Sequence, residues 1–340
     1  MIRCVPDYYD DFRCLAERCP HSCCIGWEVM IDNDTAAFYQ SVPGELGRRL
    51  RQALQRDEDN AYCFPLRGGR CPFLERGGLC EIYRRLGESH TSFICRTHPR
   101  FFDDYGSRRE ESLCASCPEV TRLVLSRDAL FAESEWAGPS GPAPSLLNPL
   151  LRCRGTAFAI LRREGPPLRE KLGELLLFAN EVQSRIDEGE EASLPQFAEE
   201  WTAPGLPVPD EAQRAEVWRR VLELLRKLDC LGDDWRSLLQ TWPNSWVRGL
   251  PVYHAPEPLG QRTAVYFLFR YWLHSVWDGD VLSRAELCVL ATAVAGSLNA
   301  PYPDCLRMFC REVEHCAENL DSLQDAFCHR FSLMDLLSLI

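Results

Sequence analysis

The chain has 340 residues, of which 46% are hydrophobic, and a formal net charge of −12 at pH 7. This length and composition allow a large core and predict two domains. The negative charge argues against nucleic acid as a partner, because phosphate binding requires clustered lysine and arginine. A basic protein substrate suits such a surface better.

The first eleven residues, MIRCVPDYYDD, contain no apolar run of the kind that a secretory signal needs. No later stretch reaches about 18 uninterrupted apolar residues, so no membrane span is expected. We therefore expect a cytoplasmic protein whose thiols stay reduced.

Cysteine is concentrated at the front of the chain. Eleven of the eighteen cysteines fall within the first 117 residues: Cys4, Cys14, Cys19, Cys23, Cys24, Cys63, Cys71, Cys80, Cys95, Cys114 and Cys117. In a reducing compartment this density indicates metal ligands more than disulfides. The seven later cysteines are scattered and are expected to be small core residues.

The front of the chain predicts an irregular, metal-organised domain over residues 1–130. A helix is expected to start at Asp32 or Asp34 and to run toward residue 54, and short strands are expected around 28–31 and 79–83. Two Gly-Gly pairs between Cys63 and Cys80 are typical of tight turns. Ligand binding can supply the folding free energy of such a loop-rich unit.

Residues 131–150 are rich in proline, glycine and serine, which predicts a linker. Apolar spacings of three and four residues then predict a helical domain over 151–340, with helices at 150–163, 167–188, 211–230, 261–278, 283–298, 301–317 and 320–338. The segment 264–277 is apolar on nearly all sides and predicts a buried central helix. The predicted fold class is mostly α with minor β.

The cysteine spacings leave the metal open. Paired Cys-x2-4-Cys knuckles, as in Cys114-x2-Cys117, are typical of zinc. The dispersed positions, together with the prolines that follow Cys19, Cys71 and Cys117, favour an iron-sulfur cluster. The number of thiols exceeds one four-ligand site, so either two sites or one site with additional structural thiols is expected.

Two common sequence signatures of S-adenosylmethionine and nucleotide binding are missing. Gly26 stands where a Cys-x3-Cys-x2-Cys motif beginning at Cys19 would need its third cysteine, so radical chemistry on S-adenosylmethionine is not indicated. No Gly-x-Gly-x-x-Gly follows a predicted strand. The residues that would bind a nucleotide-like cofactor therefore stay unassigned.

Several motifs together resemble the flagellin lysine N-methylase family over about residues 6–125. They are PDYYDDFRC (6–14), CPHSCCIGWEVMID (19–32), CPFL (71–74), LCEI (79–82), LGE (86–88), CRTHPR (95–100) and SCPE (116–119). The chain is also similar, more distantly, to small bacterial Cys-rich metal proteins.

The resemblance implies transfer of methyl groups from S-adenosylmethionine to lysine side chains of flagellin, by a protein that carries an iron-sulfur cluster of the 4Fe-4S type. Zinc remains the alternative metal. The implied ligands are Cys14, Cys19, Cys23, Cys24, Cys71, Cys80, Cys95 and Cys117. Cys4, Cys63 and Cys114 look like additions of this chain, and Cys114 competes with Cys117 for the role of ligand.

Methylation requires the neutral amine of lysine, whose pKa of about 10.4 leaves only about 0.1% neutral near pH 7.5. The site must therefore desolvate the ammonium or provide a base. Glu28, Asp32 and His98 lie within the cysteine motifs and are the candidate catalytic residues. Their alternative roles are solvated or capping carboxylates and a ligand-supporting imidazole.

Three aromatic residues, Tyr8, Tyr9 and Trp27, are candidates for a lysine channel or for core packing. The alternative function is a non-catalytic zinc or iron-sulfur protein that senses redox state and docks a partner through its helical domain.

Overall fold

The computed structural model describes all residues from Met1 to Ile340. Its seven strands form two small sheets. They are β1 Ile2–Pro6, β2 Val29–Ile31, β3 Gln55–Arg56, β4 Tyr62–Phe64, β5 Arg100–Asp104, β6 Arg108–Leu113 and β7 Phe131–Glu135.

Helices form most of the chain, so the predicted fold class, mostly α with minor β, is confirmed. They are α1 Asn33–Ser41, α2 Gly44–Ala53, α3 Glu81–Leu86, α4 Phe93–Thr97, α5 Pro118–Ser126, α6 Leu147–Arg162, α7 Leu168–Asp187, α8 Leu194–Glu200, α9 Glu211–Lys227, α10 Asp233–Thr241, α11 Glu257–Tyr271, α12 Ser275–Asp278, α13 Val281–Ser297, α14 Tyr302–Val313, α15 Ala317–His329 and α16 Leu333–Leu337. None of them combines the length and the apolarity that a membrane crossing demands.

The larger sheet joins distant parts of the chain in the order β5-β6-β1-β7. The N-terminal strand β1 lies parallel to β6 and antiparallel to β7. Because β7 occupies residues 131–135, the beginning of the predicted linker is a paired strand. The remaining linker residues lead to α6, which begins at Leu147.

The buried hydrophobic residues form two cores. The larger core contains 71 buried residues and includes Tyr8 and Leu113 from the front of the chain together with α6, α7, α11, α13 and α14. The smaller core contains 12 buried residues between Val29 and Ile82. We call residues 14–98 the cysteine module and α6–α16 the helical body. The larger sheet and α5 share the core of the helical body because their apolar faces are buried against its helices.

Two predicted elements are wrong. Residues 79–83 do not form a strand, because Cys80 caps the start of α3. Glu81 in the first turn of that helix pairs with Arg49 at 2.6 Å and with Arg85 at 3.1 Å. The predicted helix 320–338 is two helices, because Ser332 and Asp335 form a capping box that begins α16.

The predicted buried helix over 264–277 is confirmed as far as Tyr271. Residues 263–271 of α11 are all buried, and a 3-10 turn over Trp272–His274 separates α11 from α12. The sequence analysis missed the short helices α8 and α10, which each have fewer than ten residues. Such lengths contain too few turns for a clear apolar period.

Candidate metal and active site

The predicted metal ligands come from separate segments that the fold brings to one side of the molecule. Cys14, Cys19, Cys23 and Cys24 lie in the loop before β2, and Cys71 lies in the turn region after β4. The other three belong to helix starts: Cys80 caps α3, Cys95 lies in α4, and Cys117 caps α5. Seven of the predicted ligands thus belong to the cysteine module, and the eighth, Cys117, belongs to α5, which packs on the helical body.

Cys24, Cys71, Cys80 and Cys95 form a first group of thiols. The backbone N–H of Cys71 donates to the carbonyl of Cys24 at 2.8 Å. Burial, and then the neighbouring thiols of the group, raise the pKa of Cys71 to about 12 and that of Cys95 to about 11. Burial and the charge of Cys24 also raise the pKa of Cys80. These shifts show that the four sulfur atoms lie within electrostatic range of one another.

Cys14, Cys19 and Cys117 form a second group. Burial raises the pKa of Cys117 to about 11, and the thiols of Cys19 and Cys14 add to that rise. Burial and the thiols of Cys14 and Cys24 likewise raise the pKa of Cys19. The second group therefore lies beside the first and is linked to it through Cys24.

Cys23 and Cys24 connect the groups. The neighbouring Cys23 thiol lowers the pKa of Cys24 to about 7, while the pKa of Cys23 rises. A thiolate is the form that binds metal. Cys24 is thus the thiol of the pair that ionises first.

The remaining front cysteines lie apart from these groups. Cys4 is buried beside Glu110 and Arg108, and Cys63 interacts with Glu28 and Asp57. Cys114 is buried and donates to Ser116 Oγ at 3.1 Å and to Glu314 Oε2 at 3.3 Å. Between the two competing cysteines, the structure brings Cys117 to the other predicted ligands and directs Cys114 into the helical body.

The thiol groups fit a thiolate-bound metal in chemistry and number. A structural zinc or an iron-sulfur cluster takes four sulfur ligands, and seven of the eight thiols lie in two neighbouring groups that Cys23 connects. No three His, Cys, Asp or Glu side chains already converge on one coordination point.

Asp32 acts as a structural cap in this structure. Its Oδ1 accepts from the backbone N–H of Thr35 at 3.0 Å, and its Oδ2 accepts from the Thr35 hydroxyl at 2.9 Å and from the backbone N–H of Phe93 at 2.7 Å. Although burial alone would raise it, these bonds lower the pKa of Asp32. Asp32 thereby ties the start of α1 to α4, which carries Cys95.

Glu28 points away from the other candidate catalytic residues. It is exposed directly before β2, and its carboxylate is among the groups that act on the Cys63 thiol. His98, in contrast, lies between the cysteine module and the helical body. Glu28 and Asp32 are therefore not brought together with His98, the third candidate catalytic residue.

His98 belongs to an aromatic cluster at the junction, which we define as Trp27, His98, Phe101 and His315. Ring centroids lie 4.9 Å apart for Trp27 and His315, 5.7 Å for His98 and His315, 5.8 Å for Phe101 and His315, and 6.4 Å for Trp27 and His98. All four residues are partly exposed. Tyr8 and Tyr9, the other aromatic candidates, are buried in the larger core.

Both imidazoles of the junction cluster are neutral near pH 7. Burial, and then the neighbouring His315, lower the pKa of His98 to about 4. Burial also lowers the pKa of His315. An environment that disfavours the charged imidazole disfavours other cations as well, including a lysine ammonium.

A buried polar network supports the junction from behind. Ser116 Oγ lies 2.9 Å from His315 Nε2, and Glu314 accepts from the hydroxyls of Tyr266 at 2.8 Å and Tyr271 at 3.0 Å. Arg270 Nε donates to the same carboxylate at 3.2 Å. The network holds the end of α14 against α11 and thereby fixes His315.

The sequence analysis missed His315, Ser116 and Glu314 as neighbours of the candidate site. His315 and Glu314 lie far along the chain, in a segment predicted only as a helix, and no motif spacing links them to the cysteines. Only the packing of α14 on α5 brings them to Ser116.

The comparisons with known proteins point to one family. The lysine-N-methylases of Salmonella choleraesuis and Salmonella typhimurium are each 29% identical to this chain over 136 residues, which are 38% of this chain and 34% of theirs. The flagellar biosynthetic protein FliU of Salmonella muenchen is 28% identical over 136 residues, which are 38% of this chain and 80% of that protein.

The resemblance to the flagellin lysine N-methylase family is confirmed. The chain spans about a third of the length of the lysine-N-methylases that it matches. No model of a protein family matches the chain. No solved structure matches it either.

Proposed function

We propose that the chain is a protein-lysine N-methyltransferase that uses S-adenosylmethionine and acts on lysine side chains of flagellin. The printed names of the relatives support a lysine methylase and a link to the flagellum. The observation that carries the proposal in this chain is the junction cluster, in which two neutral imidazoles and two aromatic rings lie beside the predicted metal ligands. The acidic surface, with a net charge of −12, suits a lysine-bearing segment.

The junction cluster offers a lysine side chain both contact and desolvation. The indole ring of Trp27 can pack against the methylene chain of the lysine. The burial that lowers the pKa of His98 also favours the neutral amine over the ammonium, so the proton leaves to water. A neutral imidazole then accepts a hydrogen bond from the amine N–H and orients the nitrogen lone pair.

S-adenosylmethionine, when bound, supplies an electrophilic methyl group. Attack of the amine nitrogen on that methyl carbon would form the new bond as the carbon–sulfur bond breaks, and the electron pair of the broken bond would stay on sulfur, which would become a neutral thioether. The methylated product is first formed as an ammonium, which then loses its proton to solvent. His98 and His315 assist by excluding water and by holding the amine, which is a positioning role.

We further propose an iron-sulfur cluster of the 4Fe-4S type held by four of Cys14, Cys19, Cys23, Cys24, Cys71, Cys80, Cys95 and Cys117, with zinc as the alternative metal. Such a centre would supply folding free energy to the loops of the cysteine module. Asp32, in this proposal, positions Cys95 and does not handle the lysine, because its oxygens are occupied by the start of α1 and by α4.

A methyl-transfer assay tests the function. Anaerobically prepared protein should transfer labelled methyl groups from S-adenosylmethionine to flagellin, and replacement of the exposed flagellin lysines by arginine should abolish the transfer. The rate should rise with pH, with an apparent pKa below the free-lysine value of about 10.4. Protein with a full metal content that leaves flagellin unlabelled would refute the proposal.

The alternative is a redox-sensing metal protein, in which the exposed Cys14 is a thiol that oxidants can reach. In that case the cysteines would oxidise reversibly and release metal while no methyl transfer occurs.

A further inference from the structure

Ser116 joins His315 of the junction cluster to a buried carboxylate. The serine is buried, and its Oγ lies 2.9 Å from His315 Nε2 and 3.1 Å from the Cys114 thiol. The thiol in turn lies 3.3 Å from Oε2 of Glu314, whose side chain is fully buried. His315 is therefore the outer end of a continuous chain of polar groups that starts at the Glu314 carboxylate.

The segment that carries Ser116 is fixed by hydrogen bonds to its neighbours. The backbone N–H of Ala115 donates to the Tyr266 hydroxyl at 3.1 Å, and that hydroxyl donates to the Glu314 carboxylate at 2.8 Å. The backbone N–H of Ser116 itself donates to Cys114 Sγ at 3.4 Å. Movement of the serine away from the imidazole would break these bonds, so its hydroxyl is held at hydrogen-bond distance from the ring.

The donors and acceptors of this chain decide the direction of the hydrogen bond between Ser116 and His315. The carboxylate of Glu314 only accepts, so the single proton of the Cys114 thiol points either to it or to Ser116 Oγ. In both cases the serine keeps its own proton, for which an imidazole nitrogen is a stronger acceptor than sulfur. The sulfur of Cys114 already accepts from the backbone N–H of Ser116. Ser116 therefore donates to His315 Nε2, and the neutral imidazole carries its proton on Nδ1.

We propose that Ser116 is a positioning residue of the junction, which holds His315 in one ring orientation and with its proton on Nδ1. His315 then offers a hydrogen-bond donor and no acceptor, because its second ring nitrogen, Nε2, is occupied by the serine. The N–H groups of a neutral lysine amine need an acceptor, and His98 is the imidazole that remains for this role. This inference rests on the proposed function and deepens it, since it assigns different roles to the two imidazoles.

Nitrogen NMR of the full chain, with isotopically labelled histidine, tests the hydrogen bond directly. The chain has seven histidines, and the signals of His315 are identified by their loss in His315→Gln. In the wild type we expect a proton on Nδ1 and none on Nε2. In Ser116→Ala the two tautomers should mix because the donor is lost, whereas Ser116→Thr should keep the wild-type spectrum. Ser297→Ala is the matched control, since Ser297 is also buried but its hydroxyl donates only to the carbonyl of Ala293 at 2.7 Å.

Flagellin methylation at equal metal content tests the positioning role. Ser116→Ala should lower kcat on the order of tenfold, the effect of one lost hydrogen bond, with little change in the KM for flagellin. Ser116→Thr should restore the rate, and Ser297→Ala should retain it. His98→Phe, which keeps a ring without a nitrogen, should lower kcat further because it removes the acceptor itself.

The outcomes distinguish this inference from the proposed function. A proton on Nε2 of His315 in the wild type would overturn the inference, because Ser116 would then be the acceptor. Wild-type protein that leaves flagellin unmethylated would refute the proposed function and the positioning role with it, while NMR would still decide the tautomer. If the wild type methylates flagellin and Ser116→Ala keeps its kcat, only the role of Ser116 is wrong. An unchanged kcat in His98→Phe would contradict the division of roles between the two imidazoles.

Discussion

At the scale of single residues, Asp32 shows how one carboxylate can organise a site without taking part in its chemistry. Its hydrogen bonds reach the first turn of α1 and the start of α4, so the position of Cys95 depends on it. Because the charged form makes these bonds, the pKa of Asp32 is lower in the folded state than its ordinary value of 3.8. The resulting stabilisation is present above pH 3.8 and is lost as the pH falls through the folded pKa.

Asp32→Ala should lower the free energy of unfolding by about 1 kcal/mol at pH 7, the usual effect of losing an N-cap. Urea unfolding at several pH values should show this difference shrinking below pH 3.8. Asp34→Ala provides the control, because Asp34 is exposed in the same turn and should have little effect. A difference that grows as the pH falls would contradict the capping role.

The sequence could predict Asp32 as a helix start, because an aspartate directly before a helical pattern is a typical N-cap residue. It could also place Trp27 and His98 near the metal ligands, because they lie inside the cysteine motifs. It could not identify His315. This residue is brought to the site by packing alone, and a partly exposed histidine carries no distinguishing pattern in one sequence.

At the scale of elements, the contact between the Cys19–Trp27 loop and α14 depends on backbone conformation. Gly26 has φ +103°, a left-handed conformation that L residues avoid, and it lies against the Arg311 guanidinium. A side chain at position 26 would therefore strain the backbone and would also displace the Arg311 guanidinium.

Gly26→Ala should destabilise the protein more than Gly69→Ala. Gly69 also has positive φ, at +73°, but an added Cβ there meets nothing within 4 Å, so only strain of about 1 kcal/mol is expected. Chemical denaturation of both variants measures the difference. Adding Arg311→Ala to Gly26→Ala should recover the excess, and a cycle without coupling between the two positions would contradict the contact.

Element types were predictable where the apolar period is long, as in α7, α9 and α11. The types of the short elements in the cysteine module were less predictable. The segment 79–83 is short and mostly apolar, which does not distinguish a strand from a helix, and the ion pairs of Glu81 with Arg49 and Arg85 stabilise a helix. Similarly, β7 was read as linker because its partner β1 lies at the other end of the front segment.

At the scale of the whole molecule, the cysteine module has a small core of its own and a set of thiols, while the rest of the chain shares one large core. A core of 12 buried residues provides limited hydrophobic stabilisation. Metal binding is therefore expected to matter for the module and not for the helical body.

Cys23→Ser and Cys95→Ser should lose metal and destabilise the cysteine module, whereas Cys230→Ser and Cys288→Ser should keep their metal. Cys230 is half-buried and Cys288 is buried in the helical body, where each thiol donates only to a backbone carbonyl. Iron, sulfide and zinc analysis of anaerobically purified protein measures the content, and limited proteolysis locates the loss of structure. Equal metal loss in all four variants would contradict the division into metal-binding and core cysteines. Colourless protein with stoichiometric zinc and no sulfide would show that the metal is zinc and not an iron-sulfur cluster.

The central claim is that the junction between the cysteine module and the helical body receives the lysine to be methylated. The most direct measurement compares flagellin methylation by the wild type, Trp27→Ala and Trp277→Ala at equal metal content. Trp277 is 66% exposed on the helical body and is not part of the junction cluster, so its variant should keep the wild-type rate. Trp27→Ala should lose most of the transfer through a higher KM for flagellin, and equal rates for the two variants would contradict the claim.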